Sequence, residues 1–421
     1  MNLLKDINEV IQHSIQKVKP NESVKRALDD IKLPSGNLYV VSIGKAAWEM
    51  AYTTSQVLSS EVKKGIVITK YHHSHGDINN FIIYEAGHPL VDENSIIATK
   101  EVLNLVKNLN ENDLVLFLVS GGGSSLFESP LVELDELKDI TDKLLKSGAN
   151  IHEINSIRKR LSKVKGGKFA KLCLPAQVKT IILSDVIGDD LSTIASGPTY
   201  EDETSNEEVI EILNKYKIDI SEETKTLLLI KDVIKINNVE NHITLNVEKF
   251  CDEAKLKLTE LGYRVNVLTS SMQGEAREVG KTIARLAKYC QGNEYPTAII
   301  LGGETTVTIK GDGKGGRNQE IILSASEYIR DIDNVVIFSI GSDGTDGPTD
   351  AAGAYCDGKT YNELISKNID VKKELENNNS YQVLNANNNL IFTGPTGTNV
   401  NDISVLLIKP KIRKGKNGKI S

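Results

Sequence analysis

The sequence repeats one local pattern, in which a short apolar run of branched residues stops at glycine and a helix-forming stretch follows. The clearest case is the run 114–119 (LVLFLV), which ends one residue before three consecutive glycines. In a second case the run 38–43 (LYVVSI) stops at Gly44, before a helical pattern that extends to about Leu58. Runs that are apolar on both faces are typical of parallel strands covered by helices. The repeat therefore predicts an α/β fold with a Rossmann-like, mostly parallel sheet and helices on both of its faces.

The length of the chain indicates more than one domain. At about 150 residues per domain, 421 residues make two large domains or three small ones. The segment 201–247 is charged, rich in asparagine and short of strand signals, so we place a boundary in it. We predict an N-terminal Rossmann-like domain of residues 1–240. A C-terminal α/β domain with a mixed sheet and helices follows as residues 241–421.

Charge and composition exclude several classes of protein. Fifty Lys and Arg against 57 Asp and Glu give a net charge of −7, which offers no basic surface to a nucleic-acid backbone. No stretch approaches the roughly 18 apolar residues of a membrane span, and the N-terminus lacks an apolar signal region. The four cysteines are too scattered for a zinc site or a disulfide framework. We expect a soluble cytoplasmic protein with no nucleic-acid or membrane partner, in which a local group must hold any anionic ligand.

The glycines after the strand 114–119 form the first candidate binding site. In open α/β sheets ligands bind at the carboxyl ends of strands, and consecutive glycines let backbone N–H groups approach an anion. The serines that follow can add hydroxyl donors. We predict a phosphate or carboxylate site, and the alternative is a flexible turn. Its residues are Ser120, Gly121, Gly122, Gly123, Ser124 and Ser125.

A second glycine cluster precedes a predicted helix that begins at Arg317. Its glycines lie within residues 302–316 and lack the GxxxxGK[ST] spacing of a Walker A loop. A guanidinium beside backbone N–H groups suits a transferring phosphoryl group. The alternative is a turn with a surface arginine, and the runs 298–301 and 305–309 themselves predict a hairpin or bulge. The candidate binding residues are Gly302, Gly303, Glu304, Gly315, Gly316 and Asn318.

Aspartates follow two predicted strands, 178–184 and 335–340, at the end where ligands bind. Mg²⁺ takes one or two protein carboxylates in addition to phosphate oxygens, so these side chains are candidate metal ligands. The alternative role of each is turn formation or helix capping. The predicted ligands are Asp185, Asp189 and Asp343, with Asp190 and Asp346 as alternatives.

A lysine occupies the first strand-to-helix turn. Lys45 follows Gly44 and precedes two alanines, so its flexible cation is placed to neutralise a carboxylate substrate or a developing phosphoryl charge. The alternative is a solvated surface lysine. His88 also follows a predicted strand, and a role for it at the same edge of the sheet stays open.

Ten motifs of the chain resemble, in type and in order, those of the glycerate 2-kinases of the MOFRL type. They are GKAA (44–47), GHP (87–89), VSGGGSS (119–125), KGG (165–167), LSDVIGD (183–189), ASGPT (195–199), GEAR (274–277), GGET (302–305), GGRNQE (315–320) and DGTDGPTDAAG (343–353). The resemblance implies two α/β domains facing across a cleft, and transfer of the γ-phosphoryl group of ATP to the 2-hydroxyl of D-glycerate with Mg²⁺. It also implies that Lys45 and Arg317 are catalytic, because they match a lysine and an arginine proposed as active-site residues of the family. Asp185 or a neighbour would hold Mg²⁺ or orient the attacking hydroxyl.

Three other functions stay open. Relatives of the family have been labelled hydroxypyruvate reductases, but the turn at 44–47 lacks the second and third glycines of GxGxxG, so a nicotinamide site is poorly supported. The second is a kinase for another small hydroxy acid or sugar acid, and the third is a non-catalytic protein that binds a nucleotide or metabolite. Trp48 and the apolar helix after Lys45 are compatible with a homodimer.

Overall fold

The computed structural model describes residues 3–230 and 235–410, and these divide into two compact units. The first unit comprises residues 20–245. The second unit comprises residues 246–410 together with residues 3–19, which include helix α1 (Leu3–Lys17). Within the described parts of the chain, no helix combines the length and the apolar character that crossing a bilayer requires.

The first unit is built on a six-stranded sheet in which all strands are parallel. Its strands are β1 (Leu38–Ile43), β2 (Val62–Lys70), β3 (Phe81–Ala86), β4 (Leu114–Val119), β5 (Gln177–Leu183) and β6 (Val239–Leu245). They lie in the order β3-β2-β1-β4-β5-β6, which is typical of Rossmann folds. Every residue of β4 is buried, so both faces of the sheet are covered. The predicted parallel sheet is confirmed.

Nine α-helices accompany this sheet among the described residues. They are α2 (Pro20–Asp29), α3 (Ala47–Val57), α4 (Glu93–Val106), α5 (Gly123–Leu126), α6 (Leu134–Lys146), α7 (Ile151–Arg160), α8 (Lys168–Leu172), α9 (Asn206–Tyr216) and α10 (Glu222–Leu229). The apolar side chains of α6, α7, α9 and α10 form a separate small core. The edge strand β6 was not predicted, because polar and apolar residues are mixed in it and only Leu245 is buried. Its pairing with β5 is a tertiary contact.

The second unit is built on a six-stranded mixed sheet, as predicted. Its strands are β7 (Arg264–Met272), β8 (Thr297–Gly303), β9 (Val335–Gly341), β10 (Gly353–Asp357), β11 (Leu390–Ile391) and β12 (Asp402–Ile408). They lie in the order β11-β10-β9-β12-β8-β7, and only β7 and β8 run parallel to each other. Its helices besides α1 are α11 (Val247–Glu260), α12 (Ala276–Cys290), α13 (Arg317–Tyr328), α14 (Thr360–Ser366), α15 (Val371–Glu376) and α16 (Ser380–Ala386).

The predicted hairpin between 298–301 and 305–309 is wrong. Strand β8 pairs with β7 on one side and with β12 on the other, so no edge of it is left for residues 305–309. The Thr306 N–H donates instead to the Gly274 carbonyl at 2.9 Å, and Ile309 is 80% exposed. The long-range partner β12 was not predicted, and it takes the position that the hairpin would have used.

Helix α1 belongs to the second unit, whereas the predicted boundary at residue 240 placed it in the N-terminal domain. Its apolar side chains pack against α11. The Asp6 carboxylate accepts hydrogen bonds from the Tyr263 hydroxyl at 2.5 Å and from Lys409 Nζ at 2.6 Å. These contacts join the start of the chain to residues 246–410, which no local sequence pattern reveals.

Candidate active site

Lys45 and the glycine run of residues 121–123 lie at the point where the strand order of the first sheet reverses. Lys45 follows β1 and the glycine run follows β4, and these strands are neighbours. The Lys45 N–H donates to the Gly121 carbonyl at 2.8 Å, and the Ala46 N–H donates to Ser120 Oγ at 3.1 Å. Gly44 has φ +113°, and a Cβ there would collide with Ser120. The turn after β1 and the glycine run thus form one interlocked structure at the expected ligand-binding edge.

The side chains of Lys45 and His88 meet at Gly122. A Cβ on Gly122, which has φ +87°, would lie 2.8 Å from His88 Cδ2 and 3.3 Å from Lys45 Cγ. Within residues 3–230 and 235–410, the Lys45 ammonium makes no ion pair. Burial lowers the pKa of His88 to about 4, and the charge of Lys45 acts in the same direction. The imidazole is therefore neutral at neutral pH, and Lys45 is the cation available to an anion here.

Asp185 lies beside the same glycine run. It follows β5, and a Cβ on Gly121 would overlap its carboxylate. Asp189 comes four residues later with φ +55°. The Asp190 carboxylate is used within its own turn, where it accepts a hydrogen bond from the Thr193 hydroxyl at 2.7 Å. The structure therefore brings Asp185 directly to the glycine run.

The two serines after the glycine run are engaged within the protein. Ser124 Oγ lies 3.0 Å from Ser196 Oγ, which donates to Asn155 Oδ1 at 3.0 Å. Ser125 is buried, and its hydroxyl donates to the Gly122 carbonyl at 3.3 Å. These hydroxyls stabilise the turn, so an anion at this edge would be bound mainly by backbone N–H groups and by Lys45.

In the second unit, two carboxylates hold Arg317 at the start of α13. Its Nε and Nη2 donate to Asp402 at 2.5 and 3.0 Å, and its Nη1 lies 2.7 Å from Glu304 Oε1. The side chain of Asp402 is 1% exposed, whereas that of Glu304 is 42% exposed. Burial raises the pKa of Asp402 to about 7, although the hydrogen bonds to Arg317 act in the opposite direction. Arg317 itself stays one-third exposed, so its guanidinium is oriented and still accessible.

Asp343 lies near Asp402, one of the two carboxylates that bind Arg317. A Cβ on Gly341 would lie 3.3 Å from both Asp343 Oδ1 and Asp402 Oδ1. The Asp343 carboxylate also accepts a hydrogen bond from the Thr345 N–H at 3.0 Å. The side chain of the predicted metal ligand Asp343 is therefore close to Asp402, which anchors Arg317.

The first turn of α13 is fixed from the interior of the second unit. The buried Asp346 carboxylate accepts hydrogen bonds from the backbone N–H groups of Asn318 at 3.1 Å and Gln319 at 2.9 Å, which is helix capping. The Asn318 side chain is fully buried, and its Oδ1 accepts a hydrogen bond from Ser339 Oγ at 2.6 Å. Asn318 and Asp346 therefore support the helix that carries Arg317, and neither is placed to contact a ligand.

The glycines of the second cluster allow close packing. Added Cβ atoms would collide with Cys251 at Gly302, with Met272 at Gly303, with Ser380 at Gly315 and with Asp346 at Gly316. Packing thus accounts for these four glycines without a bound anion. The predicted phosphate contacts at these positions stay predictions.

The structure brings few metal-binding donors together within the ranges that it describes. Among the described residues, no three His, Cys, Asp or Glu side chains converge in a metal-binding cluster. Mg²⁺ needs only one or two protein carboxylates when phosphate oxygens complete its shell. Asp185 fits this requirement, because its carboxylate occupies the space that Gly121 leaves open beside the glycine run.

Sequence reasoning missed Asp402. The run 402–408 (DISVLLI) has the composition of a buried strand with an acidic residue at its start, and that signal could have identified it. It also assigned no role to Lys165, which is fully buried below α5.

Comparisons with known proteins find relatives over nearly the whole chain. A family model described as a domain of unknown function (DUF4147) matches residues 6–229, and the MOFRL family model matches residues 297–402. The D-glycerate 2-kinase of Thermotoga maritima is 49% identical over 95% of this chain and 97% of its own length. The glycerate 2-kinase of Pyrococcus horikoshii is 42% identical over 89% of this chain and 88% of its own. An Agrobacterium vitis relative, provisionally named a hydroxypyruvate reductase, is 37% identical over 89% of this chain and 88% of its own.

Solved structures share the fold of both units. The crystal structure of glycerate kinase from Thermotoga maritima has a TM-score of 0.94 at 48% identity and covers 96% of this chain and 99% of that chain. A crystal structure of a Pyrococcus horikoshii protein has a TM-score of 0.88 at 39% identity, covering 98% and 99%. Because the family models, the relatives and the solved structures agree over nearly the whole length, the chain belongs to the glycerate 2-kinase family of the MOFRL type.

Proposed function

We propose that this protein transfers the γ-phosphoryl group of ATP to the 2-hydroxyl oxygen of D-glycerate, giving 2-phosphoglycerate and ADP. The bond between the γ-phosphorus and its bridging oxygen breaks, a bond to the 2-oxygen forms, and the hydroxyl proton is released. The observation that carries the proposal is the 49% identity to a protein named D-glycerate 2-kinase over 95% of this chain. The cations at Lys45 and Arg317 support it, since phosphoryl transfer depends on positioning and on stabilising charge.

Lys45 and Arg317 are suited to stabilising phosphoryl charge in different ways. The Lys45 side chain lies beside Gly122 of the glycine run and has no ion-pair partner among the described residues, so its ammonium can bind an anionic oxygen. Arg317 has its guanidinium oriented by Asp402 and partly open to solvent. Fixed donors of this kind stabilise charge that develops in the transition state without reorganising.

Mg²⁺ is part of the proposal, with Asp185 as its principal protein ligand and Asp189 and Asp343 as the further predicted ligands. When bound, the ion neutralises charge on the phosphate oxygens. The Asp185 carboxylate is also suited to orient the attacking hydroxyl, because carboxylates accept hydrogen bonds. A cytoplasmic location and a homodimer complete the proposal, and the four free, buried cysteines are compatible with a reducing compartment.

The direct test identifies the product by phosphorus NMR after incubation with ATP, Mg²⁺ and D-glycerate. We expect a single 2-phosphate ester and stoichiometric ADP. A 3-phosphate would show that the proposed position of transfer is wrong, and ATP that stays intact with D-glycerate would show that the proposed acceptor is wrong.

Lys45→Ala and Arg317→Ala test the two assigned cations. We expect each to lower kcat by about 100-fold or more, as loss of a fixed transition-state donor does. The matched controls are Lys64→Ala on an exposed part of β2 and Arg330→Ala just after α13, which is half exposed. Both controls should keep kcat within about twofold, since they contact none of the site residues. Wild-type turnover in Lys45→Ala or Arg317→Ala would refute that residue's role.

Reduction of hydroxypyruvate is the activity that some relatives' names imply. The strand order of the first sheet is compatible with a dinucleotide. However, Ala46 and Glu49 stand where the second and third glycines of GxGxxG would follow Gly44. We therefore expect no oxidation of NADH when hydroxypyruvate is supplied, measured by absorbance beside the kinase assay.

A further inference from the structure

A fully buried lysine lies below the short helix α5 that follows the glycine run. The side chains of Lys165 and Glu128 are both 0% exposed, and Lys165 Nζ lies 3.3 Å from Glu128 Oε2. The same ammonium donates to the carbonyl oxygens of Ser124 at 2.8 Å and Phe127 at 2.9 Å. The ammonium thus makes two hydrogen bonds to backbone carbonyls and one ion pair with a buried carboxylate. Lys165 is therefore bound to both ends of α5.

A second cation contacts the same helix. Arg158 Nη2 donates to the Ser124 carbonyl at 2.9 Å and lies 4.0 Å from Glu128 Oε2. Helix α5 has one turn, and the last carbonyls of a helix have no partner within it. Positive charge near those carbonyls is favourable. Arg158 and Lys165 together supply hydrogen-bond donors and positive charge to carbonyls at α5.

The backbone around the glycine run has little conformational restraint of its own. Gly122 has φ +87°. Glycine adopts positive φ without steric strain, and it also loses more conformational entropy than any other residue when its backbone is fixed. The Glu128 N–H does not extend α5, since it donates to Thr99 Oγ1 at 3.0 Å. The conformation of the glycine run therefore depends on its neighbours, which are the turn after β1 on one side and the groups that hold α5 on the other.

We propose that Lys165 is a positioning residue for phosphoryl transfer: by holding α5 from below, it keeps the glycine run of residues 121–123 in the conformation that binds the anionic substrate beside Lys45. The role rests on the proposed kinase function. It differs from a purely structural role in that loss of Lys165 disorders the glycine run and lowers catalysis more than the lost stability explains.

The first test compares Lys165→Met with Lys168→Met. Lys168 is the matched control, because its Nζ also donates to backbone carbonyls, those of Lys159 at 2.9 Å and Ser162 at 2.6 Å, away from α5. We expect kcat/KM to fall at least tenfold in Lys165→Met and less than twofold in Lys168→Met. Hydrogen exchange of residues 120–127 should become at least tenfold faster in Lys165→Met alone. Urea unfolding of both variants measures how much stability each change removes.

The second test is the alkaline limb of the pH profile. Burial lowers the pKa of Lys165 to about 8; Glu128 raises it and Arg158 lowers it further. Wild-type kcat should therefore fall above about pH 8, and Lys165→Arg should move that fall to higher pH. The unfolded chain keeps this proton up to the ordinary range of lysine, so its loss from the folded protein does not lower the free energy of unfolding. Activity that falls while stability holds is the expected signature.

Each result decides the inference. Equal kcat/KM and equal exchange in Lys165→Met and Lys168→Met would overturn it. If Lys165→Met does not fold, the pH profile decides, and identical alkaline limbs in the wild type and Lys165→Arg would overturn it. A wild-type chain without kinase activity would refute the proposed function instead, and the exchange of residues 120–127 would then decide whether Lys165 orders the glycine run.

Discussion

The two carboxylates that bind Arg317 differ in burial, and we expect them to differ in how much they contribute to its orientation. Asp402 is buried and makes two hydrogen bonds with the guanidinium, whereas Glu304 is 42% exposed and makes a single ion pair. Exposed pairs contribute little, because water and salt screen them. A buried charge that loses its partner is costly. Asp402 should therefore orient Arg317, and Glu304 should contribute much less to its orientation.

Asp402→Asn should lower the free energy of unfolding by about 3 kcal/mol, as removal of one charge from a buried pair does, and should lower kcat at least tenfold. Below about pH 7 the difference in stability from the wild type should grow, because Asp402 takes up a proton in the folded wild type at a pH where the unfolded chain does not, and the asparagine variant cannot do so. Urea unfolding at pH 8 and pH 6, with kinase assays, measures both effects. The control Glu304→Gln should change stability by less than about 1 kcal/mol. Equal effects of the two variants would contradict this assignment.

At the scale of elements, the ends of β1 and β4 are joined through glycine. Gly44 and Gly76 have nearly the same positive φ, +113° and +114°. A Cβ on Gly44 would collide with Ser120, whereas a Cβ on Gly76 would meet nothing within 4 Å. An alanine at Gly76 would therefore lose stability only through backbone strain, whereas an alanine at Gly44 would also collide with the end of β4.

Gly44→Ala should lower the free energy of unfolding by about 3 kcal/mol or more, since a collision with backbone adds to the backbone strain. Gly76→Ala carries the strain alone and should cost about 1 kcal/mol. Thermal or urea unfolding of both variants gives the difference. Because Gly44→Ala also displaces the turn that carries Lys45, its kcat should fall, while Gly76→Ala should keep wild-type kcat. Similar stability losses at the two positions would show that close approach is unimportant at Gly44.

At the scale of the whole molecule, the second unit contains the start of the chain and its last described strand. Asp6 joins them, since it binds both Tyr263 and Lys409. Helix α1 also ends near a later segment, because the Thr398 hydroxyl donates to the Val18 carbonyl at 2.6 Å. The stability of this unit therefore depends on residues that lie at opposite ends of the sequence.

Asp6→Ala should lower the free energy of unfolding by about 3 kcal/mol, because it leaves the buried Tyr263 hydroxyl and the partly buried Lys409 ammonium without their acceptor. The matched control is Lys5→Ala, whose side chain is 75% exposed and forms only a surface pair with Glu9; it should change stability by less than about 0.5 kcal/mol. Hydrogen exchange should locate the loss in α1 and α11. A loss confined to residues 20–245 would contradict the assignment of α1 to the second unit.

Much of the fold was predictable because its signals are local. Strand β1 has the predicted bounds of 38–43, and the parallel sheet follows from strands that are apolar on both faces. The hairpin prediction at 305–309 was wrong because a threonine-rich alternation resembles a strand, and only the presence of β12 beside β8 shows that no partner is left for it.

The sequence by itself determined where glycine and charge follow strands, and thereby Lys45, Asp185 and the glycine run, because periodicity and turn chemistry are properties of neighbouring residues. Only the tertiary structure decided the partners of those residues. Asp402 holds Arg317 across 85 positions of sequence, and Lys165 supports Ser124 across 41. Such pairs form when strands and helices pack, since burial turns distant polar groups into obligatory partners, and no local pattern encodes which distant group that will be.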